Sequence, residues 1–117
     1  QVFLNLIQNG VEASPPDRPL LLRTRIRGPW NVKEGLPLPT QAHFLIDVED
    51  QGGGVAEEVR EHLFTPFFTT KKQGTGLGLS VCYHIVHAHG GRLLYRPARG
   101  KGSVFTVALP MNVRCRE

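Results

Sequence analysis

The sequence predicts an α/β (α+β) fold, a two-layer sandwich in which a mixed β-sheet is covered on one face by helices. The chain has 117 residues, which suits one hydrophobic core. Segments with helical or strand periodicity follow one another in the order helix, two strands, helix, two strands. The 13 glycines and 9 prolines are spread between these segments and form no low-complexity tract. We therefore expect residues 1–117 to form a single domain.

The first helix is predicted over residues 1–13, where apolar residues recur at helical spacing until two prolines follow. Gly10 lies within this pattern and weakens the helix by roughly 1 kcal/mol. No capping residue precedes the pattern at Gln1. On that ground we expect the chain to be a fragment of a longer protein.

The next two elements are predicted strands over residues 20–27 and 42–50, separated by a loop over residues 28–41. Apolar residues alternate in both strands with charged or polar ones, so each strand has two distinct faces. In the second strand, the residues expected to face inward are Ala42, Phe44, Ile46 and Val48, and those expected to face outward are His43, Asp47 and Glu49. If the strands pair, the outward acids meet Arg23, Arg25 and Arg27 of the first strand.

The second half of the chain is predicted to hold a short helix over residues 56–63 and a long helix over residues 76–89. Gly90 and Gly91 are expected to end the long helix. Two strands, over residues 92–96 and 103–109, complete the sheet. The pattern does not determine the order in which the four strands pair.

Charge is distributed unevenly along the chain, whose net charge is +4. No acidic residue lies between His62 and Arg116, which indicates that the C-terminal half binds a small polyanion. Charge alone is also compatible with loose nucleic-acid affinity. The basic residues have no interleaved aromatic platform, so we expect no nucleic-acid partner.

The chain contains no apolar stretch of the roughly 20 residues that a membrane-spanning helix needs, and no signal-like N-terminus. Its two cysteines form no metal-type or CxxC pair. We therefore expect a cytoplasmic domain without membrane contact.

Asp50 is the first candidate site residue, because the alternation of the second strand turns its side chain toward the buried face. A buried carboxylate needs a partner. The simpler interpretation is that Asp50 opens a turn before Gly52. Its position in the strand pattern makes a functional role about equally plausible.

Asn5, Asn9 and Glu12 form a polar stripe on the otherwise apolar first helix, at the spacing i, i+4, i+7. A solvated helix face would explain the stripe. An amide oxygen is also a ligand for Mg²⁺, a hard cation that shares the phosphate oxygens of a nucleotide.

The segment KKQGTGLGLS, residues 71–80, is a glycine-rich loop that opens onto the long helix. It matches neither the P-loop pattern nor the dinucleotide-binding fingerprint. Exposed backbone N–H groups, a helix N-terminus and two lysines are suited to phosphate, although tight helix packing would also explain the glycines. Taken together, the three candidate features predict a site for ATP and Mg²⁺.

Four segments resemble the N, G1, F and G2 boxes of sensor histidine kinases, in the same order and at similar spacing. They are NLIQNGVEA, DQGGGV, FTPFFTT and GTGLGLS. The stretch FTPFFTTKKQGTGLGLSV is most similar to kinases of the nitrogen-regulation type. The catalytic domain of these kinases shares its Bergerat-type ATP-binding fold with gyrase, Hsp90 and MutL. The resemblance is close over residues 1–13 and 45–110 and loose between them.

The resemblance implies a role for each matching residue. Asp50 would bind the adenine amino group, and Gly52 and Gly54 would let the chain turn close to the base. Asn9 would ligate Mg²⁺, and Asn5 would help to hold the metal and phosphates, so that these two and Lys71 are the implied catalytic residues. The other implied nucleotide-binding positions are Phe64, Phe68, Gly74, Thr75, Gly76, Leu77, Gly78 and Leu79. Phe67, with Phe64 and Phe68, would anchor a mobile lid.

The activity implied is transfer of the γ-phosphoryl group of ATP to a histidine on a dimerisation and phosphoacceptor domain outside this chain, followed by signalling to a response regulator. His62, His84, His87 and His89 lack the acidic residue and proline that follow a phosphoacceptor in this family. Two alternatives share the fold: a serine kinase that acts as an anti-sigma factor, and an ATP-gated clamp of the gyrase or Hsp90 type. The clamp carries a water-activating glutamate where this chain has Asn5. The long FTPFFTTKKQ segment disfavours the anti-sigma factor.

Overall fold

The computed structural model describes residues 1–27, 42–65 and 78–111 of the chain. These residues form helices and strands close to the predicted ones. In chain order they are α1 (Val2–Ala13), β1 (Leu21–Arg27), β2 (His43–Glu49), α2 (Glu57–Arg60), α3 (Gly78–Ala88), β3 (Arg92–Pro97) and β4 (Ser103–Pro110). The predicted helix over 56–63 is shorter than expected, since turns follow Arg60. The start of the predicted helix over 76–89 lies partly outside the described residues.

The four described strands form one sheet in the order β1-β2-β4-β3. Each of its three pairings is antiparallel, so the mixed sheet that we expected is not found in the described part of the chain. Two of these pairs, β1 with β2 and β3 with β4, join consecutive strands, which pair directly only in the antiparallel sense, whereas a parallel pair requires a crossover connection. The third pair, β2 with β4, links these two hairpin-like pairs and is also antiparallel. The two-layer class itself is confirmed, with helices packed on one face of the sheet.

The core lies between this face of the sheet and the two longer helices, with α1 packed over β2 and α3 packed over β3. Its buried members come from both layers and include Leu6 of α1, Val86 of α3 and Val107 of β4. Gly90 ends α3 as predicted. Its φ of 76° is readily adopted only by glycine, and the next N–H, of Gly91, donates to the carbonyl oxygen of Val86 at 2.9 Å.

The edge strand β1 is more exposed than its apolar pattern predicts. Leu22 and Ile26 are 57% and 65% exposed. Phe44, their neighbour on β2, was expected to face inward and is 45% exposed. All three side chains lie on the helix-covered face by register, but the packed helices cover β2 and β3 rather than the edge at β1.

The opposite face of the sheet, called here the outer face, is more buried than predicted. His43 and Asp47 were expected to face outward into solvent, yet they are 4% and 1% exposed. The predicted pairing of arginines with acids is confirmed, because Arg23 bonds Glu49 and Arg25 bonds Asp47 at 3.2 Å. These side chains run diagonally across the sheet and remove Asp47 from water.

Within the three described ranges, no helix has the length and apolar character needed to cross a membrane.

Candidate functional site

Asp50 lies just beyond the end of β2 and is buried, as its position in the strand pattern predicted; its exposed fraction is 5%. Its carboxylate atom Oδ1 accepts two backbone hydrogen bonds, from the N–H of Gly52 at 2.9 Å and the N–H of Ser103 at 3.2 Å. Its own N–H donates to the carbonyl oxygen of Ser103 at 2.9 Å. Among the described residues, no Lys, Arg or His forms an ion pair with this carboxylate. Within the described part of the chain, the carboxylate of Asp50 is therefore held by backbone N–H groups.

The turn between β3 and β4 approaches Asp50 so closely that only glycine fits at position 102. Gly102 has a φ of 114°, and a Cβ built there would collide with the backbone carbonyl of Asp50. Gly102 and Ser103 were not among the predicted site residues, because their contacts with Asp50 depend on β4 lying beside β2. The only signal was a second glycine in GKGS, residues 100–103, between the two predicted C-terminal strands.

The end of α1 packs on the segment that carries Asp50. A Cβ at Gly10 would come within 3.5 Å of Asp50 Cβ. A Cβ at Gly52 would collide with the carbonyl oxygen of Ala13. The helix α1 therefore carries the predicted metal-binding stripe and packs beside Asp50, the carboxylate predicted to bind adenine.

The polar stripe of Asn5, Asn9 and Glu12 lies on α1 and begins where this helix packs against α3. Asn5 is half-buried and lies near the thiol of Cys82 on α3, which donates to the carbonyl oxygen of Val2 at 3.6 Å. Burial raises the pKa of this thiol, and the nearby Asn5 side chain opposes that shift. Asn9 lies one turn further along α1, half-buried and directly before Gly10. Glu12 is exposed. Amide oxygens at Asn5 and Asn9 are neutral hard donors, which fits a magnesium ion that takes its remaining ligands from phosphate and water.

Phe64 is the one residue of the predicted lid anchor within the described part of the chain. Its ring stacks on Tyr83 of α3, with centroids 5.3 Å apart and planes inclined by 17°, and meets Phe105 of β4 edge-on at 6.5 Å. These aromatic contacts attach the chain that follows α2 to both layers of the fold. Tyr83 and Phe105 were not predicted as contacts of Phe64.

Two other predicted nucleotide-binding residues are at or near the start of α3. Gly78 begins the helix and is exposed, whereas the side chain of Leu79 packs against the core. Leu79 would therefore meet a ligand through its backbone. Gly54, with a φ of 83°, lies in the turn after Asp50. The predicted residues that lie outside the described ranges are Phe67, Phe68, Lys71, Gly74, Thr75, Gly76 and Leu77.

Known proteins resemble this chain over almost its whole length. Sporulation kinase C of Bacillus subtilis (strain 168) is 39% identical over 111 residues, which are 95% of this chain and 23% of that protein. The nucleotide-free catalytic domain of histidine kinase ThkA has a TM-score of 0.74 and 34% identity, covering 94% of this chain and 64% of that one. Full-length ShkA in complex with AMPPNP has a TM-score of 0.68 and 26% identity, covering 93% of this chain and 20% of that one.

The chain thus spans about a quarter of the length of the sporulation kinase. Residues 1–113 match the family model described as "Histidine kinase-, DNA gyrase B-, and HSP90-like ATPase". With the fold, the backbone-held Asp50 and the amide stripe on α1, this match shows that the chain belongs to the family of histidine kinase-, DNA gyrase B- and HSP90-like ATPases.

Proposed function

We propose that the chain is the catalytic domain of a sensor histidine kinase, which binds ATP with Mg²⁺ and donates the γ-phosphoryl group to a histidine on a separate domain. One observation carries the proposal: Asp50, just beyond the end of β2, is buried without a cationic partner among the described residues, and it packs beside the end of α1, the helix that bears two amides. The sensor and sporulation kinases among its relatives, and the AMPPNP complex of ShkA, support the same reading.

Asp50 recognises the adenine base in this proposal. The described hydrogen bonds to the carboxylate all reach Oδ1, so Oδ2 is the atom proposed to accept from the exocyclic amine. An ionised acceptor makes a charge-assisted hydrogen bond, which is stronger than a neutral one. A base with an oxygen in place of that amine presents a lone pair to the carboxylate and is repelled. Selectivity for adenine follows from this difference.

Two side chains of α1 would hold the metal. Asn9 would provide the protein ligand to Mg²⁺, and Asn5 would support the same region from one turn away. When bound, Mg²⁺ neutralises charge that develops on the phosphate oxygens during transfer. The phosphates are proposed to bind the ammonium of Lys71 and the backbone N–H groups of Gly74, Gly76 and Gly78, because such N–H groups at a helix N-terminus favour anions.

The acceptor is a histidine nitrogen presented by a dimerisation and phosphoacceptor domain outside this chain. A P–N bond forms as the bond from the γ-phosphorus to the bridging oxygen breaks, and ADP leaves with that oxygen. The imidazole proton is released to solvent. The phosphoryl group then passes to a response regulator in the cytoplasm. Residues 1–117 are the catalytic domain of a longer kinase in this proposal.

Asn5 favours this function over an ATP-gated clamp. A hydrolytic site needs a general base that takes a proton from water, and an amide cannot serve as that base at neutral pH. Slow hydrolysis preserves ATP until a histidine arrives. A serine kinase of the anti-sigma type remains the second candidate on fold alone. The similar proteins named above, a sporulation kinase and a histidine kinase, do not favour it.

The test is a calorimetric titration of the chain with ATP in the presence and absence of Mg²⁺, followed by incubation with a separately supplied phosphoacceptor domain of a sensor kinase. We expect binding that is tighter with Mg²⁺, negligible ATP hydrolysis, and acid-labile phosphate on the acceptor histidine. The control is Asn9→Ala, which should lose the benefit of Mg²⁺. Absence of ATP binding, or phosphate recovered on serine, would contradict the proposal.

A further inference from the structure

Ser14 links the end of α1 to the residue that follows Asp50. Its hydroxyl oxygen accepts a hydrogen bond from the backbone N–H of Gln51 at 2.9 Å. The two residues are 37 positions apart in the chain, and the bond is partly buried. Ser14 also caps the helix, because its own N–H donates to the carbonyl oxygen of Gly10 at 3.0 Å. The serine is thus held by the helix while it holds the Gln51 amide.

The position of Gln51 matters because the next amide, that of Gly52, donates to Asp50 Oδ1 at 2.9 Å. Orienting the Gln51 N–H orients the short turn that contains both donors. Gly52 is pressed against Ala13 on the same helix end, so the turn is fixed by a hydrogen bond at one residue and by close packing at the next. No other side-chain acceptor for the Gln51 N–H is found among the described residues.

We propose that Ser14 is a positioning residue for base recognition, which acts through Gln51 and Gly52 to aim the Asp50 carboxylate at the adenine amine. The inference rests on the proposed function, in which Asp50 binds adenine. Ser14 does not touch the nucleotide in this scheme. Its hydroxyl holds the turn so that Oδ1 remains engaged with the backbone and Oδ2 faces the ligand.

The test measures the affinities of ATP and inosine triphosphate for the chain, since the second nucleotide has an oxygen in place of the exocyclic amine. Ser14→Ala removes the acceptor and should reduce the preference for ATP by about three- to tenfold, the effect of losing one hydrogen bond. Ser14→Thr keeps a hydroxyl at the same place and should restore the preference to within about twofold of the original. Thr24→Ala, which removes an exposed hydroxyl on β1, serves as the matched control.

Comparing two nucleotides separates positioning from general destabilisation, because loss of folded protein lowers both affinities equally and leaves their ratio unchanged. A strong preference for ATP that persists in Ser14→Ala would overturn the role of Ser14 and leave the proposed function intact. A wild-type chain that binds both nucleotides equally would overturn the adenine assignment, and the inference with it.

A second measurement needs no substitution. Amide hydrogen exchange of the unmodified chain should show the Gln51 N–H protected relative to the N–H of Gly53, which is exposed. ATP should increase the protection of Gln51 further. Exchange at Gln51 as fast as at Gly53 would contradict the proposal.

Discussion

Asp47 and Asp50 are two buried carboxylates near the end of β2, and their surroundings differ in kind. Asp47 lies on the outer face, where Thr106 donates to it at 2.6 Å and Arg25 at 3.2 Å, with Arg96 at 3.8 Å. Asp50 lies on the helix-covered side, where its described hydrogen-bond partners are backbone N–H groups. Among the described residues, the first carboxylate is paired with arginines, and the second is oriented by backbone amides without a cationic partner.

The pKa of Asp47 shows what its partners achieve. Burial favours the protonated form of this group. The hydrogen bonds from Thr106 and Arg25, together with the charges of Arg25 and Arg96, outweigh burial and lower the pKa below its ordinary value of 3.8. Asp47 is therefore ionised and fully partnered, and has no capacity left for a ligand.

Burial alone does not distinguish these two carboxylates. Asp47 is the more buried of the two, at 1% exposed against 5% for Asp50. The distinguishing feature is the kind of partner, because cations satisfy the charge whereas backbone amides only fix the direction of the remaining lone pairs. Substitutions at either carboxylate, or at its support, test this contrast.

The largest effect is expected at Gly102, which supports Asp50. Gly102→Ala should lower the free energy of unfolding by roughly 3 kcal/mol, because its φ of 114° is unfavourable for alanine and the new Cβ collides with the Asp50 carbonyl. Urea denaturation measures the loss. Gly100→Ala is the matched control, since Gly100 has a φ of 86° but no atom within 4 Å of the added Cβ. Equal losses at the two positions would show that the turn does not support Asp50.

The second largest effect is expected on removing the carboxylate of Asp47, which is paired with arginines. Asp47→Ala should destabilise the fold by about 2 kcal/mol, less than for a fully buried pair because Arg25 and Arg96 are partly exposed and can be hydrated. ATP affinity should not change, because the side chain of Asp47 lies on the opposite face of the sheet from the proposed site and is already paired with arginines. Asp17→Ala, at an exposed position, should have little effect on either quantity. A loss of ATP affinity in Asp47→Ala would remove the distinction between the two aspartates.

The converse substitution, Asp50→Asn, should act mainly on the ligand. We expect ATP to bind more than about tenfold more weakly, a change of about 1.4 kcal/mol, because the neutral amide offers a weaker acceptor or turns a donor to the amine. Stability should change by less than about 1 kcal/mol, since an amide oxygen can still accept from Gly52 and Ser103. Calorimetry compares this variant with Asp47→Asn, and equal affinities would refute the adenine assignment.

The smallest effect is the response to acid. A carboxylate with a lowered native pKa stabilises the fold fully above its unfolded pKa, and that contribution is lost as the pH falls through the native value. For Asp47 the loss begins near its ordinary pKa of 3.8 and continues below it. From about pH 5 to about pH 2, the wild type should therefore lose more unfolding free energy than Asp47→Asn. Parallel pH profiles would show that Asp47 does not titrate as an ion-paired group.

Local patterns were sufficient for most elements and for several site residues. The boundaries of α1 and of the four described strands agree with the predicted ones to within a residue at each end. The direction of Asp50 followed from strand alternation, because successive side chains of a strand point to opposite faces. The arginines of β1 and the acids of β2 were expected to meet if the strands paired, and they do.

The errors arose where burial depends on neighbours in space. Alternation distinguishes two faces but cannot tell how much each is covered, so Asp47 was expected in solvent and Phe44 in the core. Coverage depends on which strand lies at the sheet edge and where the helices are placed. Strand order is non-local as well, since β4 inserts between β2 and β3.

The sequence alone was enough to determine the helices and strands, the four motif segments and the family to which they point, because these follow from periodicity and residue type over short ranges. The arrangement around Asp50 could not be obtained in this way. Ser14, Gly52 and Ser103 come from distant parts of the chain, and they meet only because α1 and β4 both pack beside the end of β2. Close packing and hydrogen bonding between distant segments therefore decide which buried carboxylate is paired with arginines and which is held, within the described residues, by backbone amides.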